Sequence, residues 1–214
     1  APIIRRVAAR GGVIVIPAFA IGRAQALMLH IARLRERNEI PRVPVYLNSP
    51  MAINATRHYH AHHSEHHVSE EDCQRMFDVA TFVNTVEESK ALNRQRGPMI
   101  IISASGMITG GRVLHHIEAF GPDDRNAILL AGYQAGGTRG AALAAGKPSL
   151  RMFGREVPIR AEVVQLQGFS GHADAGELLD WMRTAPSAPR MVYLTHGEPD
   201  AADTLRGRVE RELG

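Results

Sequence analysis

The sequence predicts an α/β fold: a parallel β-sheet with helices on both faces, followed by a smaller α/β segment. Short, wholly apolar runs alternate with longer runs of helical periodicity, the pattern of strands buried on both faces. Glycine-rich turns of small residues follow those apolar runs, where open α/β sheets place their ligands. Near Ser149 the rhythm gives way to a hairpin pattern, which marks a second structural segment.

In chain order, Gly12–Pro17 reads as a buried strand. Arg23–Asn38 is an amphipathic helix, because Ala24, Leu27, Met28, Ile31 and Leu34 fall on one face. Val43–Asn48 is a second strand. Ser49 and Pro50 open a helix as N-cap and first-turn proline, and helical pattern continues to about His63. Ser69-Glu70-Glu71-Asp72 is a fresh helix start, and Thr85 with Glu88 forms a capping box for a helix through Asn93. Met99–Ser103 is a third strand, ending in the small-residue loop 103–111. Arg112–Phe120 is helical, and Asn126–Ala131 is a fourth strand that runs into the loop 132–140. Beyond Ser149, Leu150–Phe153, a Gly154-Arg155 turn and Val157–Leu166 read as a hairpin. A helix over 174–184, a strand over 191–195 and a helix over 199–213 follow. A segment of about 60 residues is small for a free-standing domain and is expected to need a partner surface.

The 214 residues are 44% hydrophobic and 22% charged, an ordinary soluble composition. No run approaches the ~18 apolar residues of a membrane span, and no signal peptide pattern opens the chain, so no membrane partner is expected. A single cysteine, Cys73, excludes an internal disulfide and suits the cytoplasm. The net charge of +3 is compatible with a polyanionic substrate without demanding one.

Three groups of residues carry possible chemistry. The run His58-Tyr59-His60-Ala61-His62-His63, with His66 and His67, is patterned like a metal-ligand string. It continues the helix begun at Pro50, on which His58, His62 and His66 share one face while His60 and His63 point elsewhere. It is therefore read as a solvated polar helix and its C-terminal turn. His172 and His196 form the second group. Asp174 and Glu177 make a helix-capping pair, which sets His172 beside a helix N-terminus that attracts phosphate. His196 ends the expected 191–195 strand. Each alone also fits a routine turn residue, but their matching placement beside Gly171 and Gly197 favours one shared site for metal or phosphate chemistry. The third group is the loops 103–111 and 132–140, whose small residues can cradle phosphate through backbone amides. Neither is a Walker loop or a dinucleotide fingerprint, and Ser170 is not a nucleophile elbow, because His172 stands where that motif needs glycine.

Six ordered segments then suggest a family. They are Pro17-Ala-Phe-Ala-Ile-Gly-Arg-Ala-Gln25, Ser49-Pro-Met-Ala52, Ser103-Ala-Ser-Gly-Met107, Gly132-Tyr-Gln-Ala-Gly-Gly-Thr-Arg-Gly140, Ser170-Gly-His-Ala-Asp174 and Thr195-His-Gly-Glu198. Together they resemble the β-CASP branch of metallo-β-lactamase-fold nucleases, over nearly the whole chain. The resemblance implies a β-CASP domain over 1–152, and over 153–214 the returning C-terminal portion of a metallo-β-lactamase αββα domain. It implies a zinc-dependent ribonuclease acting on RNA phosphodiesters, with two zinc ions in the complete enzyme. His196 would be a metal ligand. His172 would be catalytic, contacting the scissile phosphate. Ser103, Ser105, Gly106, Thr138, Gly140 and Ser170 would hold the RNA backbone. The family's H-x-H-x-D-H metal string lies upstream of the matching segments, so this chain is expected to be the C-terminal part of a larger enzyme and inactive alone. Expected partners are RNA, with DNA as the alternative, the missing N-terminal metallo-β-lactamase domain, and a second copy in a homodimer. Two other readings stay open: a non-catalytic nucleic-acid-binding subunit, and an α/β domain that binds nucleotides or small phosphates.

Overall fold

A computed structural model describes residues 1–166, 168–169 and 171–214. The chain divides into two compact units, Ala1–Phe169 and Ser170–Gly214.

The first unit is built on six parallel strands: β1 (Val13–Pro17), β2 (Val45–Leu47), β3 (Thr81–Phe82), β4 (Met99–Ser103), β5 (Ala127–Leu130) and β8 (Glu162–Gln165). Their order in the sheet is β3-β2-β4-β1-β5-β8. β1 lies between β4 and β5, with Val15 opposite Ile101 and Ile128. Because successive side chains alternate faces, each central strand feeds two cores. Ile14, Ile16, Ile100 and Ile102 meet Leu27, Met28, Ile31, Ile53 and Met76, which come from α2 (Arg23–Glu36), α3 (Pro50–Ala61) and α4 (Glu70–Asp78). Val13, Val15, Ile101 and Ile128 meet Leu92, Val113, Ile117 and Leu143 on the opposite face, from α5 (Val86–Leu92), α6 (Val113–Phe120) and α7 (Arg139–Ala144). The expected parallel sheet covered on both faces is present. The amino-terminal α1 (Pro2–Ala9) adds Ile4 and Val7 to the first of these cores.

Local chemistry fixes the helix starts. Ser49 Oγ accepts from the Ala52 amide, and Ser69 and Thr138 cap α4 and α7 in the same way. Thr85 and Glu88 form the expected reciprocal capping box.

Three sequence expectations need correction. Val157–Leu166 is not one strand. β6 (Ser149–Met152) and β7 (Arg155–Pro158) form the antiparallel hairpin, after which the chain breaks and β8 joins the main sheet beside β5. Pro158 cannot donate to a ladder, and Glu162 is fastened to Arg6 of α1 and to Arg10 at its C-cap, so β8 belongs with the first unit. Those two guanidinium groups, Arg6 foremost, hold the Glu162 carboxyl below its usual range. Second, α3 ends at Ala61 rather than His63. His63–Glu65 forms a 3-10 turn and His66 is extended, so His58, His62 and His66 do not share a helical face. Third, residues 191–195 form no strand. A strand needs a neighbour to accept its backbone hydrogen bonds, and Met191, Val192 and Tyr193 instead stand exposed.

The second unit holds α8 (Ala175–Arg183) and α9 (Pro199–Leu213), joined by an Arg183–Glu212 ion pair at 3.2 Å. Asp174 and Glu177 make the expected capping box at α8. Leu179 is its one fully buried apolar side chain among the described residues, while Trp181, Met191 and Tyr193 are exposed.

Ile101, fully buried at the centre of the sheet, tests the packing directly. Replacing it with alanine is expected to cost about 2–5 kcal/mol. A urea titration should show this as a lower midpoint with an unchanged slope.

Candidate functional site

In a parallel sheet every strand delivers its following loop to the same end. Here β1 leads to α2 on one face, while its neighbour β4 leads to α6 on the other. The adjacent connections diverge, which opens a crevice at the topological switch point. The loops 18–22, 48–49, 83–85, 104–112 and 131–138 converge on this rim, and none contains Asp or Glu. Arg23, Arg112 and Arg139 border it, and α2, α3, α5, α6 and α7 start there, adding the positive ends of their dipoles. The opposite end of the sheet mixes charges: Asp123 and Asp124 stand before β5, alongside Arg10, Arg42, Arg96 and Arg125 ahead of β1, β2, β4 and β5.

A buried polar network holds the rim in shape. Asn48 ends β2 fully buried; its amide nitrogen lies 2.7 Å from Ser89 Oγ and 2.8 Å from His116 Nε2. Its Oδ1 accepts from Arg112 at 2.8 Å, and Arg112 also donates to the Val83 and Asn84 carbonyls. His116 reaches Asn93 Oδ1 through its other nitrogen. Burial foremost, then the charges of His115 and Arg112, lower the His116 pKa from 6.5 to about 4. The ring is therefore neutral at neutral pH.

The rim residues expected from the sequence divide by role. Ser103 is buried and donates its hydroxyl to the Asn48 carbonyl at 2.8 Å, so it ties β4 to β2. Ser105 Oγ lies 2.9 Å from Thr109 Oγ1 and accepts from the Thr109 amide, closing the loop on itself. Gly106 lies against the Phe19 ring, and a Cβ there would approach ring and backbone to 2.9–3.0 Å. Thr138 caps α7 and donates to the Ala135 carbonyl at 2.7 Å. Gly140 is buried where a Cβ would stand 1.6 Å from Gln134 Oε1. Gln134 in turn donates to the Gly106 carbonyl at 3.1 Å, and the Gly140 amide donates to Met107 at 3.1 Å. The two loops are therefore brought together through Gly106, Gln134 and Gly140. The starts of α2 and α6 lack side-chain caps, but the Ala24 and Val113 amides bond back to Phe19 and Ala104. What they offer a ligand is mainly their field.

In the second unit His172 and His196 occupy equivalent positions, each two residues before a helix N-cap, Asp174 and Glu198. Both are exposed, and His196 adopts a left-handed backbone with φ of 67°. That conformation is uncommon outside glycine and marks a constrained turn. Ser170 lies outside the described residues.

The His58–His67 run is distributed over separate tasks. His60 packs on Phe77 with ring centroids 4.9 Å apart, His62 pairs with Glu65 at 3.2 Å, and His66 bonds the Tyr59 carbonyl at 3.0 Å. Among the described residues no three His, Cys, Asp or Glu side chains are arranged to hold a metal ion.

The sequence reading overlooked Asn48, His116, Arg112 and Gln134. His116 alone left a signal: it lies on the apolar stripe of α6 with Val113, Ile117 and Phe120.

A Beta-Casp domain description matches residues 24–143, the stretch that supplies most of this rim. The chain belongs to the β-CASP family. A second description, the Zn-dependent metallo-hydrolase RNA specificity domain, matches residues 156–214 and so includes both histidine segments. The chain is 40% identical over 205 residues to a ribonuclease of Thermus thermophilus, covering 92% of this chain and 46% of the relative. It is 31% identical over 222 residues to the transcription termination factor FttA of Methanosarcina mazei, covering 99% of this chain and 35% of that protein. Integrator complex subunit 11 of Gallus gallus is 30% identical over 207 residues, 95% of this chain and 34% of the relative. The chain thus spans less than half the length of these relatives. The zinc dependence named by the second description does not fit a donor set confined to this chain. A catalytic zinc takes three protein ligands, and no such set stands among the described residues.

The neutral, buried His116 predicts a pH dependence. Above about pH 6.5 the ring is neutral in both folded and unfolded chains. As pH falls from 6.5 to about 4, only the unfolded chain takes up the proton, so folding loses stability, by about 3 kcal/mol in all. His116→Gln is expected to flatten that part of the profile, measured as the difference between the two proteins' urea stabilities from pH 7 to pH 4. A second substitution, Gly140→Ala, should force Gln134 aside at a cost of about 1–3 kcal/mol, read as a lower melting temperature.

Proposed function

We propose that this chain is part of a metal-dependent ribonuclease that hydrolyses RNA phosphodiester bonds. The observation that carries the reading is the sheet's carboxyl rim: five converging loops free of acids, bordered by arginines and helix N-termini, in a β-CASP chain. Such a surface favours a phosphate backbone, with Glu87 and Glu88 of the first turn of α5 as the acids beside it. RNA is favoured over DNA because the description matching 156–214 is that of an RNA specificity domain. The two matched stretches, 24–143 and 156–214, support a β-CASP domain followed by the returning part of a metallo-β-lactamase domain, with the expected boundary at 152 falling inside the first compact unit, Ala1–Phe169.

Within that reading the residues divide their work. Ser105, Gly106, Thr138 and Gly140 shape the loops against the RNA backbone, with Ser103 anchoring them from below and Ser170 contributing from the second segment. Exposed His172, beside the start of α8, holds the reacting phosphate and can pass a proton to the departing oxygen. His196 offers one imidazole to a metal whose remaining ligands lie outside the described residues. Exposed Trp181, Met191 and Tyr193 give the second unit an apolar surface that a metallo-β-lactamase domain would cover.

The test uses the complete polypeptide that carries this segment, assayed on RNA under single-turnover conditions. His172→Ala is expected to slow cleavage by about 10²–10⁴-fold, with RNA affinity changed only a few-fold. His196→Ala is expected to lower bound metal as well as rate. Undiminished cleavage in both variants would overturn the assignment.

A further inference from the structure

A cavity of about 830 Å³ opens beside the rim, between the loop after β4, the first turn of α7 and the outer face of the β6–β7 hairpin. Thr109, Thr138, Arg139, Lys147, Arg151 and Glu156 are among its lining residues. Three cations therefore face one carboxylate: Glu156 stands opposite Arg151 in the hairpin register and accepts from Ser149 Oγ at 2.8 Å. Among the described residues neither Lys147 nor Arg151 forms an ion pair. Arg139 is fixed by backbone carbonyls alone. Its Nε donates to Arg151 O at 2.9 Å, and a terminal nitrogen lies 3.4 Å from Ile108 O and 3.5 Å from Thr109 O. Its charge is positioned yet left without a counter-ion.

The geometry points to a second RNA-backbone site in this cavity, a track that carries the strand away from the rim across Arg139, Lys147 and Arg151. It rests on the ribonuclease reading and extends it, because Thr109 joins the two places: its hydroxyl meets rim Ser105 at 2.9 Å, and it also lines the cavity. The lining holds no aromatic side chain. Bases have nothing to stack on there, so the track reads phosphates and not sequence, and a polymer suits it better than a free nucleotide. Exposed Arg151 and Lys147 supply mobile point charges, while Arg139 supplies a fixed fork for a phosphate.

The test is fluorescence anisotropy of the complete polypeptide that carries this segment, in chelator so that the RNA stays intact, with single-stranded oligouridylates, one short enough to fill the rim alone and one several-fold longer. Lys147→Glu with Arg151→Glu is expected to weaken the long RNA by at least about tenfold and to reduce its salt slope by about 1.4, roughly 0.7 for each lost phosphate contact. The short RNA should bind nearly as before. Both positions are exposed, and circular dichroism together with a Lys147→Arg, Arg151→Lys control that retains binding separates charge from misfolding. Unchanged affinity and slope for the long RNA would overturn the track, as would no binding of it by the unmodified chain. Equal competition by uridine monophosphate would overturn its assignment to a polymer. The ribonuclease reading is judged separately: if His172 and His196 variants lose cleavage while the double-charge variant binds normally, the track alone fails.

Discussion

The parallel pairing of β1 with β4 is the constraint on which the rest of the first unit depends. These strands run side by side over five residues, Val13 to Pro17 against Met99 to Ser103, and every position on both is buried. Their alternating side chains feed the two cores, so neither helical layer can shift without the strands that join them. Because their connections leave to opposite faces, the same pairing opens the crevice at their carboxyl ends. Stability and the location of the site thus come from one set of hydrogen bonds and one apolar alternation.

That crevice needs a rigid floor, which the cores alone do not supply. Asn48 does so by coupling β2 to α6 through His116, to α5 through Ser89, and to the post-β4 loop through Arg112. A buried amide with its partners in place rigidifies, whereas the same amide left unpaired would be costly. The network also places a guanidinium beside the rim with three of its contacts being uncharged oxygens, so the positive charge persists for a ligand. The loops above this floor are closed by contacts that leave no room for a Cβ unless a neighbour moves, at Gly106 under Phe19 and at Gly140 beside Gln134. Small residues there serve loop-to-loop packing as much as any approach by phosphate.

Much of this was legible in the sequence because it follows from local rules. The apolar runs gave β1, β4 and β5, and the capping residues Ser49, Thr85 and Asp174 placed three helix starts. What escaped depended on distant partners. β8 carries no stronger strand pattern than 191–195, yet it has β5 to pair with and Arg6 and Arg10 to hold Glu162, whereas 191–195 forms no strand. The histidine run was rightly denied a single helical face for His60 and His63, but the helix ended earlier than the pattern and broke the face assigned to His58, His62 and His66. Asn48 and Gln134 were invisible for a related reason: a polar side chain at a strand end reads as solvated until its burial and partners are known.

The two units differ in how far they determine their own chemistry. The rim of the first unit is fixed by its cores and its polar network, so its loops hold their shape without a ligand. His172 and His196 belong to a unit whose buried apolar core, among the described residues, is Leu179, with Trp181, Met191 and Tyr193 exposed. On the proposed reading the two histidines act together, which requires placement to within about 0.5 Å, and so small a core cannot set that tolerance. Capping by Asp174 and the left-handed turn at His196 fix each histidine relative to its own helix. The two helices are joined by the exposed Arg183–Glu212 pair beside the small core at Leu179, and surface pairs contribute only about 0–1 kcal/mol. On the proposed reading, the surface that covers Trp181, Met191 and Tyr193 sets the spacing of the histidines, and its docking is also the step that assembles the catalytic centre.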